Sequence, residues 1–342
     1  MANVVISALK TFALPRSANT FITRYTFRII RRLFNVRMRA ATSYEARDRI
    51  MAMYAPIALF TLPLVWIAGV VMGYTFMFYA IGLSVYDAFK TSGSSMLTLG
   101  FALADTTPAL ILEFSEAALG MLLVALLVSY LPTMYAAFSK RESAISLLEV
   151  RAGSPPSPAT MLIRLHQIRG LDEFTTLAVQ WELWFAELEE SHTSLAALVF
   201  FRSPKGQNSW ITAAGTMLDA GALVQAIIDH PPDPRVSLMI RAGFIALRSI
   251  ADFFGIPHDS NPRPDDPISI SREEFNQVFE ELRDAGLPVK TDQDQAWRDY
   301  AGWRVNYDRV LLVLAELTVA PYAMWISDRG ISLPLLARKN GN

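Results

Sequence analysis

The sequence contains no cysteine and only four histidines among its 342 residues. The absence of cysteine excludes disulfides, thiolate nucleophiles and zinc sites of the cysteine type. The sequence also lacks a Gly-x-Ser-x-Gly turn, a phosphate-binding glycine loop and a pair of histidines at metal-ligand spacing, so nothing offers a nucleophile beside a base. We therefore expect the protein not to be an enzyme and to need no cofactor.

Charged residues are scarce, at 18% of the chain, and they are unevenly distributed. None occurs over the 37 positions 50–86, and a second uncharged run covers the 23 positions 117–139. A helix needs roughly 20 apolar residues to cross the core of a bilayer. The two runs therefore predict two transmembrane helices, at about 52–80 and about 110–138.

Basic residues flank the two runs on their outer sides, whereas the residues between them are mostly acidic. Residues 1–50 hold ten Lys or Arg against Glu45 and Asp48, and Lys140 and Arg141 close the second run. Cytoplasmic flanks of spans are enriched in Lys and Arg. We therefore expect a protein of the plasma membrane with both termini in the cytoplasm.

Residues 1–49 are predicted to form a basic segment, cytosolic or at the membrane interface. In a helical projection of residues 20–36, four arginines fall on one side and the apolar residues spread over the other. This pattern is typical of an interfacial helix. It also suits a basic arm that packs on a cytosolic domain, and both interpretations leave the topology unchanged.

After the second run, residues 141–158 are predicted to be a linker, because their last part contains three prolines in four positions. Residues 159–342 show helical periodicity and predict a C-terminal helical cytosolic domain. Its clearest helix starts at Ser271, with Glu274 three residues on as a capping box. Residues 310–326 are apolar but contain Glu316, which favours a buried core helix over a third span.

The apolar face predicted for the helix after Ser271 consists of Phe275, Val278, Phe279 and Leu282. An acidic stretch with one histidine, 182–192, is predicted to be a solvated helix face rather than a metal site, because the charges are simply compatible with a helix.

The region between the two runs, 84–108, is apolar with a polar centre. Residues 85–96 predict a short helix that enters the membrane, with the small residues Ser94 and Ser95 near its end. The next residues are Thr98, Leu99, Gly100, Phe101 and Ala102. Irregular backbone at membrane depth is tolerated where protein buries it or water lines it, and such a loop can turn its carbonyl oxygens toward a pore.

This arrangement, over residues 50–140, resembles the pore module of the tetrameric two-helix potassium channels, in which a span, a pore helix, a Thr-Val-Gly-Tyr-Gly filter and a second span follow one another. The resemblance implies a selectivity filter at Thr98, Leu99, Gly100, Phe101 and Ala102, on a pore helix that contains Ser94 and Ser95. It also implies a pore helix and filter at about 85–104 within a pore domain at 50–140.

The same module suggests roles for five further residues. Asp105, Glu113 and Glu116 are expected at the outer mouth, where carboxylates concentrate cations. Gly120 corresponds to the hinge glycine of the second span, and Pro132 is expected to bend that span near its cytosolic end. Close helix packing is an equally good explanation of the glycine.

Two residues depart from the family's filter. Ala102 stands where the family has its second glycine, and Phe101 lacks the hydroxyl of the filter tyrosine. An alanine in a backbone position that needs positive φ costs on the order of 1 kcal/mol. We therefore expect weakened selectivity.

The sequence thus predicts an all-α membrane protein that conducts potassium or another monovalent cation. Two spans and one loop cannot enclose a pore, so conduction requires a homo-oligomer, and the resemblance implies a tetramer. The expected partners are the lipid bilayer and monovalent cations, without nucleic acid. A non-conducting membrane scaffold or sensor that retains the channel module is the alternative.

Overall fold

The computed structural model describes residues 6–7, 21–103 and 105–329. Over these residues the protein is all-helical, as expected from the sequence, and β-type pairing is limited there to a bridge between Ile228 and Val289. The predictions for residues 1–5, 8–20, Ala104 and 330–342 lie outside the described residues.

The helices are named here in chain order. They are α1 (Phe21–Arg39), α2 (Tyr44–Ala52), α3 (Tyr54–Ala80), α4 (Val85–Met96), α5 (Thr107–Ala152), α6 (Pro158–Gln167), α7 (Phe174–Ser194), α8 (Trp210–Ile227), α9 (Pro234–Phe254), α10 (Arg272–Asp284), α11 (Gln293–Arg304) and α12 (Asp308–Thr318). Two short 3₁₀ helices, Leu171–Glu173 and Ala196–Phe200, flank α7.

Three helical stretches of the described chain are long and apolar enough to cross a membrane. They are Tyr44–Ala80, which consists of α2 and α3 together, the helix α5, and the helix α8. They differ in how much of their apolar part the protein covers. That share is 33% for the first stretch and 17% for α5, but 89% for α8. The first two therefore expose the apolar surface that lipid would cover, whereas α8 is packed as a core helix. The sequence analysis did not identify α8 as a helix apolar enough to span a membrane.

The chain divides into two compact units, and the first comprises residues 1–138 and 194–201. In this unit α1 and α4 both pack against α3. The core between α3, α4 and α5 includes Tyr74, Phe78, Ala88 and Met96. The hydroxyls of Tyr74 and Ser115 form a hydrogen bond of 2.9 Å, which joins α3 to α5.

Residues 194–201, which we call the inserted segment, lie far along the chain from the rest of the first unit. Ala197 and Leu198 are buried in a core that also contains Leu59 of α3 and Tyr130 and Met134 of α5. The inserted segment therefore completes the apolar core between α3 and α5. The sequence-based boundary, with one domain at 159–342, gave no sign of it.

The second unit comprises residues 139–193 and 202–342, described as far as 329. The helix α8 lies at its centre, with α6, α9, α11 and α12 packed around it. The residues 141–152, predicted as the first part of a linker, instead continue α5 without a break to Ala152.

The capping box predicted at the start of α10 is confirmed: Ser271 and Glu274 satisfy each other's backbone N–H groups. The four apolar residues of its predicted face are buried. The prediction that residues 310–326 are buried rather than spanning also agrees with the structure, since Val310–Ala315 and Ile326 are buried. The helix ends earlier, at Thr318, because Val319 turns the chain with a φ of 53°.

A buried ionic network holds α8, α11 and α12 together. The Arg304 guanidinium donates to both carboxylate oxygens of Asp219, at 2.7 and 2.8 Å, and to Asp308 at 2.7 Å. Tyr300 and Tyr307 donate their hydroxyls to Asp219. Burial and the nearby Asp219 carboxylate raise the pKa of both tyrosines well above its usual value, so both remain donors.

Candidate pore loop

The helix α4 has the bounds predicted for the pore helix, 85–96. It starts there because the Ser84 hydroxyl oxygen accepts from the backbone N–H of Asp87, at 3.1 Å, and caps the first turn. The small residues Ser92, Gly93, Ser94 and Ser95 give it little bulk near its end. It ends at Met96, and the backbone N–H of the next residue, Leu97, donates to Gly93 O.

The backbone after α4 takes an unusual course. Thr98 has a φ of 52° and Gly100 a φ of 71°, whereas φ at Leu99 between them is not positive. The first turn is closed by two hydrogen bonds, from Thr98 N to Ser95 O at 3.0 Å and from Leu99 N to Ser94 O at 2.8 Å. Alternation of the sign of φ allows neighbouring carbonyl oxygens to share one side of the chain, which a ring of carbonyl ligands requires.

Ser94 fixes the other end of this loop. Its side chain is buried, and its hydroxyl oxygen accepts from the backbone N–H of Phe101 at 3.1 Å and of Ala102 at 3.2 Å. The next residue, Ser95, donates its hydroxyl to Glu113 O, at 2.6 Å, on α5. The two serines predicted for the pore helix therefore hold the loop and the following helix, respectively.

The side chains of the loop are largely uncovered within one chain. Leu99, Phe101 and Leu103 are exposed large apolar residues, and Ala102 is half-buried. Asp105 is also exposed.

Glu113 and Glu116 differ from the expectation of an exposed acidic rim, because both are buried. The Ser92 hydroxyl of α4 lies 2.6 Å from Glu116 Oε1, and it also lies 3.1 Å from Val71 O on α3. Glu116 thus lies where α3, α4 and α5 meet, on the side of α4 that faces these helices. It is positioned to hold α4 in place rather than to attract ions from solution.

Gly120, the predicted hinge, lies at a close approach between α5 and the end of α4. A Cβ at this position would be 2.3 Å from Met96 O, which is far inside van der Waals contact. The glycine is therefore required by packing, the second of the two explanations that the sequence left open.

Pro132 lies inside α5, which continues for a further twenty residues to Ala152. It removes one backbone hydrogen bond from the helix, as expected. Its neighbours Tyr130 and Met134 are buried against the inserted segment. The predicted gate residue is therefore beside the core that Leu198 completes.

The acidic stretch 182–192 is not uniformly solvated. Glu187 pairs with Lys140 at 2.6 Å near the surface, but His192 is fully buried, with Nε2 3.2 Å from Arg141 Nη1. Burial and the Arg141 charge lower the pKa of His192 well below its usual value. In the described part of the chain no three acidic or histidine side chains converge as a metal site would require.

No protein-family model, curated protein or solved structure matches the chain. Over the described residues, the protein is all-helical and has a short capped helix and a hydrogen-bonded loop between two apolar helices. Sequence reasoning singled out Ser94, which holds the loop, and Ser95, which bonds to α5, and it missed the contact of Ser92 with Glu116. The signal for that contact was weak, since 24 residues separate the partners.

Proposed function

We propose that the protein is the pore-forming subunit of a cation channel of the potassium type. In this proposal α3 and α5 span the plasma membrane, both termini are cytoplasmic, and four copies surround a pore lined by residues 98–102. Potassium or another monovalent cation is the permeant species, and no cofactor takes part.

One observation carries this proposal: the alternating φ at Thr98 and Gly100, directly after α4 and fixed by the Ser94 hydroxyl. A positive φ is strained for a threonine, at a cost of order 1–2 kcal/mol. Such strain in a loop whose side chains are exposed is what a backbone shaped for carbonyl ligation would contain. A loop that served only to pack helices would gain nothing from it.

The side chains of the loop support weak rather than strict selectivity. Phe101 has no hydroxyl and its side chain is exposed, so within one chain it is tied to α4 through its backbone N–H, which donates to Ser94, and not through its ring. Ala102 is held only through its backbone N–H. A filter with fewer braces is softer, and it discriminates less between potassium and sodium.

Ion flux into liposomes that hold the purified protein tests the proposal, with Gly100→Ala as the critical variant. Gly82→Ala is the matched control, because Gly82 also has a positive φ, 106°, and a Cβ added at either glycine would meet no atom within 4 Å, but Gly82 lies before α4. We expect Gly100→Ala to abolish potassium flux and Gly82→Ala to retain it. Equal flux in both variants would overturn the filter assignment.

A membrane scaffold is the second candidate, and the tight Gly120–Met96 and Glu116–Ser92 contacts favour it, because they fix α4 rigidly between the apolar helices. A scaffold predicts membrane insertion and assembly without flux in the wild-type protein. Chemical crosslinking in the same liposomes measures assembly. Assembled protein that conducts ions supports the channel, whereas assembled protein without flux supports the scaffold.

A further inference from the structure

The helix α1 presents three different faces, and among the described residues one of them packs on the rest of the protein. On that face Thr26 and Ile30 are buried, and Phe27 and Phe34 lie against Tyr54 at the start of α3. The Tyr54 hydroxyl also donates to Phe27 O at 3.4 Å. These contacts fix the rotation of α1 about its own axis, so the other two faces have defined directions.

The second face is apolar and exposed. Its residues follow one another at helical spacings of four, four, four and three, and each is exposed by at least 39%. They are Phe21, Tyr25, Ile29, Leu33 and Val36. An exposed apolar stripe of this length on a helix marks a surface that another apolar phase covers.

The third face is basic and adjoins the apolar stripe. Successive residues are 100° apart around a helix, which places Arg24, Arg28 and Arg32 in the sector next to Tyr25 and Ile29. The guanidinium of Arg28 lies 5.2 Å from the centre of the Tyr25 ring. The helix contains six arginines and no Asp or Glu, so no acidic residue of α1 neutralises this face. Arg31 is excluded from the set, since it contacts Tyr54 and Phe200.

Several partners would accept arginines, but few would also cover the apolar stripe. A nucleic acid would pair with the guanidinium groups and leave Phe21, Ile29 and Leu33 in water. An acidic membrane surface takes both faces at once, with arginines at the level of the phosphates and the apolar side chains among the upper acyl segments. The short helix α2 connects α1 directly to α3, so such a surface lies within reach if α3 spans a bilayer.

We propose that α1 binds anionic phospholipid headgroups of the bilayer that holds the protein, through Arg24, Arg28 and Arg32, with Phe21, Ile29 and Leu33 inserted beside them. The inference rests on the membrane insertion in the proposed function and not on ion conduction. Basic residues near an acidic leaflet and apolar insertion act together, and either one alone gives weak, reversible attachment.

The absence of cysteine makes a direct test of insertion depth available. A single nitroxide label is attached in the full-length protein at Ile29→Cys, on the apolar stripe, or at Asn35→Cys, an exposed position between arginines, as the control. Relative collision rates with oxygen and a water-soluble nickel complex report the depth of each label. The vesicles contain phosphatidylcholine alone or with phosphatidylglycerol.

The arginines are tested by the triple variant Arg24→Gln, Arg28→Gln, Arg32→Gln. Its matched control is Arg169→Gln, Arg241→Gln, Arg298→Gln, which removes three exposed arginines from the second unit. At about 1 kcal/mol for each arginine near an acidic surface, the first variant should reduce the docked-to-undocked ratio of α1 about 100-fold in phosphatidylglycerol vesicles, and the control should leave it unchanged.

The expected result is a label at residue 29 within the acyl region in phosphatidylglycerol vesicles that moves toward water in phosphatidylcholine or in the first triple variant. The label at residue 35 should stay at the headgroup level.

A depth at residue 29 that is independent of both lipid charge and the arginines would overturn the proposal, and so would a label in water throughout. Protein that fails to co-float with vesicles would overturn this proposal and the membrane location together, whereas inserted protein without flux would affect only the channel proposal.

Discussion

The Ser92 hydroxyl donates to Glu116 across 24 residues of sequence, in a fully buried hydrogen bond of 2.6 Å. This bond joins the helix before the candidate filter to the helix after it. A buried acceptor that loses its donor pays the cost of its own desolvation, which makes the pair sensitive to removal of either partner.

We predict that Ser92→Ala and Glu116→Ala each destabilise the protein by about 1–3 kcal/mol, and that the double variant costs clearly less than the sum. Thermal unfolding of the purified full-length protein measures both effects. Glu116→Gln is the matched control, because its side-chain oxygen still accepts from Ser92. Full additivity of the two alanine variants would show that the bond does not hold the helices together.

A second prediction concerns Gly120, where an added Cβ would collide with Met96 O. Gly120→Ala should force α4 and α5 apart and destabilise the protein by about 1–3 kcal/mol, as overpacking does. Gly93→Ala, in α4, is the control, since a Cβ there meets nothing within 4 Å of the same chain. Unfolding temperatures of the two variants give the comparison. A Gly120→Ala protein of unchanged stability but altered gating would favour the hinge role instead.

A third prediction concerns the ionic network of the second unit. Arg304→Met leaves Asp219 and Asp308 buried without their cation, which should destabilise the protein by about 3–5 kcal/mol. Arg298→Met, on the exposed face of the same helix, should change stability by no more than about 0.5 kcal/mol. Urea unfolding followed by circular dichroism distinguishes the two. Similar effects of both substitutions would contradict a structural role for the network.

A fourth prediction follows from the start of α9. Hydrogen bonds from Arg235 lower the pKa of Asp233 from 3.8 to about 2, and Asp233 also caps the helix through the Arg235 backbone N–H. A lowered pKa in the folded state means that the stabilisation is present above pH 3.8 and is lost as the pH falls through about 2.

The stability difference between the wild type and Asp233→Asn should therefore be largest at neutral pH and shrink as the pH approaches about 2. Unfolding temperatures across this pH range measure it. Asp265→Asn, at an exposed position outside the helices, is the control and should give a much smaller difference. A difference that grows at low pH would have the wrong sign for a stabilising carboxylate.

The sequence predicted most successfully what local rules determine. The apolar helices α3 and α5 follow from the absence of charge, α4 from the run 85–96 with small residues near its end, and α10 from its capping box. Such features depend on residues a few positions apart. The pattern of residues along the sequence is therefore almost sufficient to predict these features.

The features that the sequence did not reveal depend on distant partners. Glu116 was expected in solvent, because a carboxylate is rarely buried and its partner Ser92 belongs to another helix. The helix α8 contains Asp219, which argues against burial until Arg304, 85 residues on, is in place. These contacts arise only once the helices have been packed in three dimensions.

The inserted segment has a consequence for any attempt to divide the chain. A chain cut after residue 158 keeps both apolar helices and the candidate filter, but it lacks Ala197 and Leu198. Leu59, Tyr130 and Met134 would then be left with an open apolar pocket, which favours aggregation. The first unit of this protein is thus complete only after the ribosome has made residues 194–201, so its folding cannot finish before part of the second unit has been synthesised.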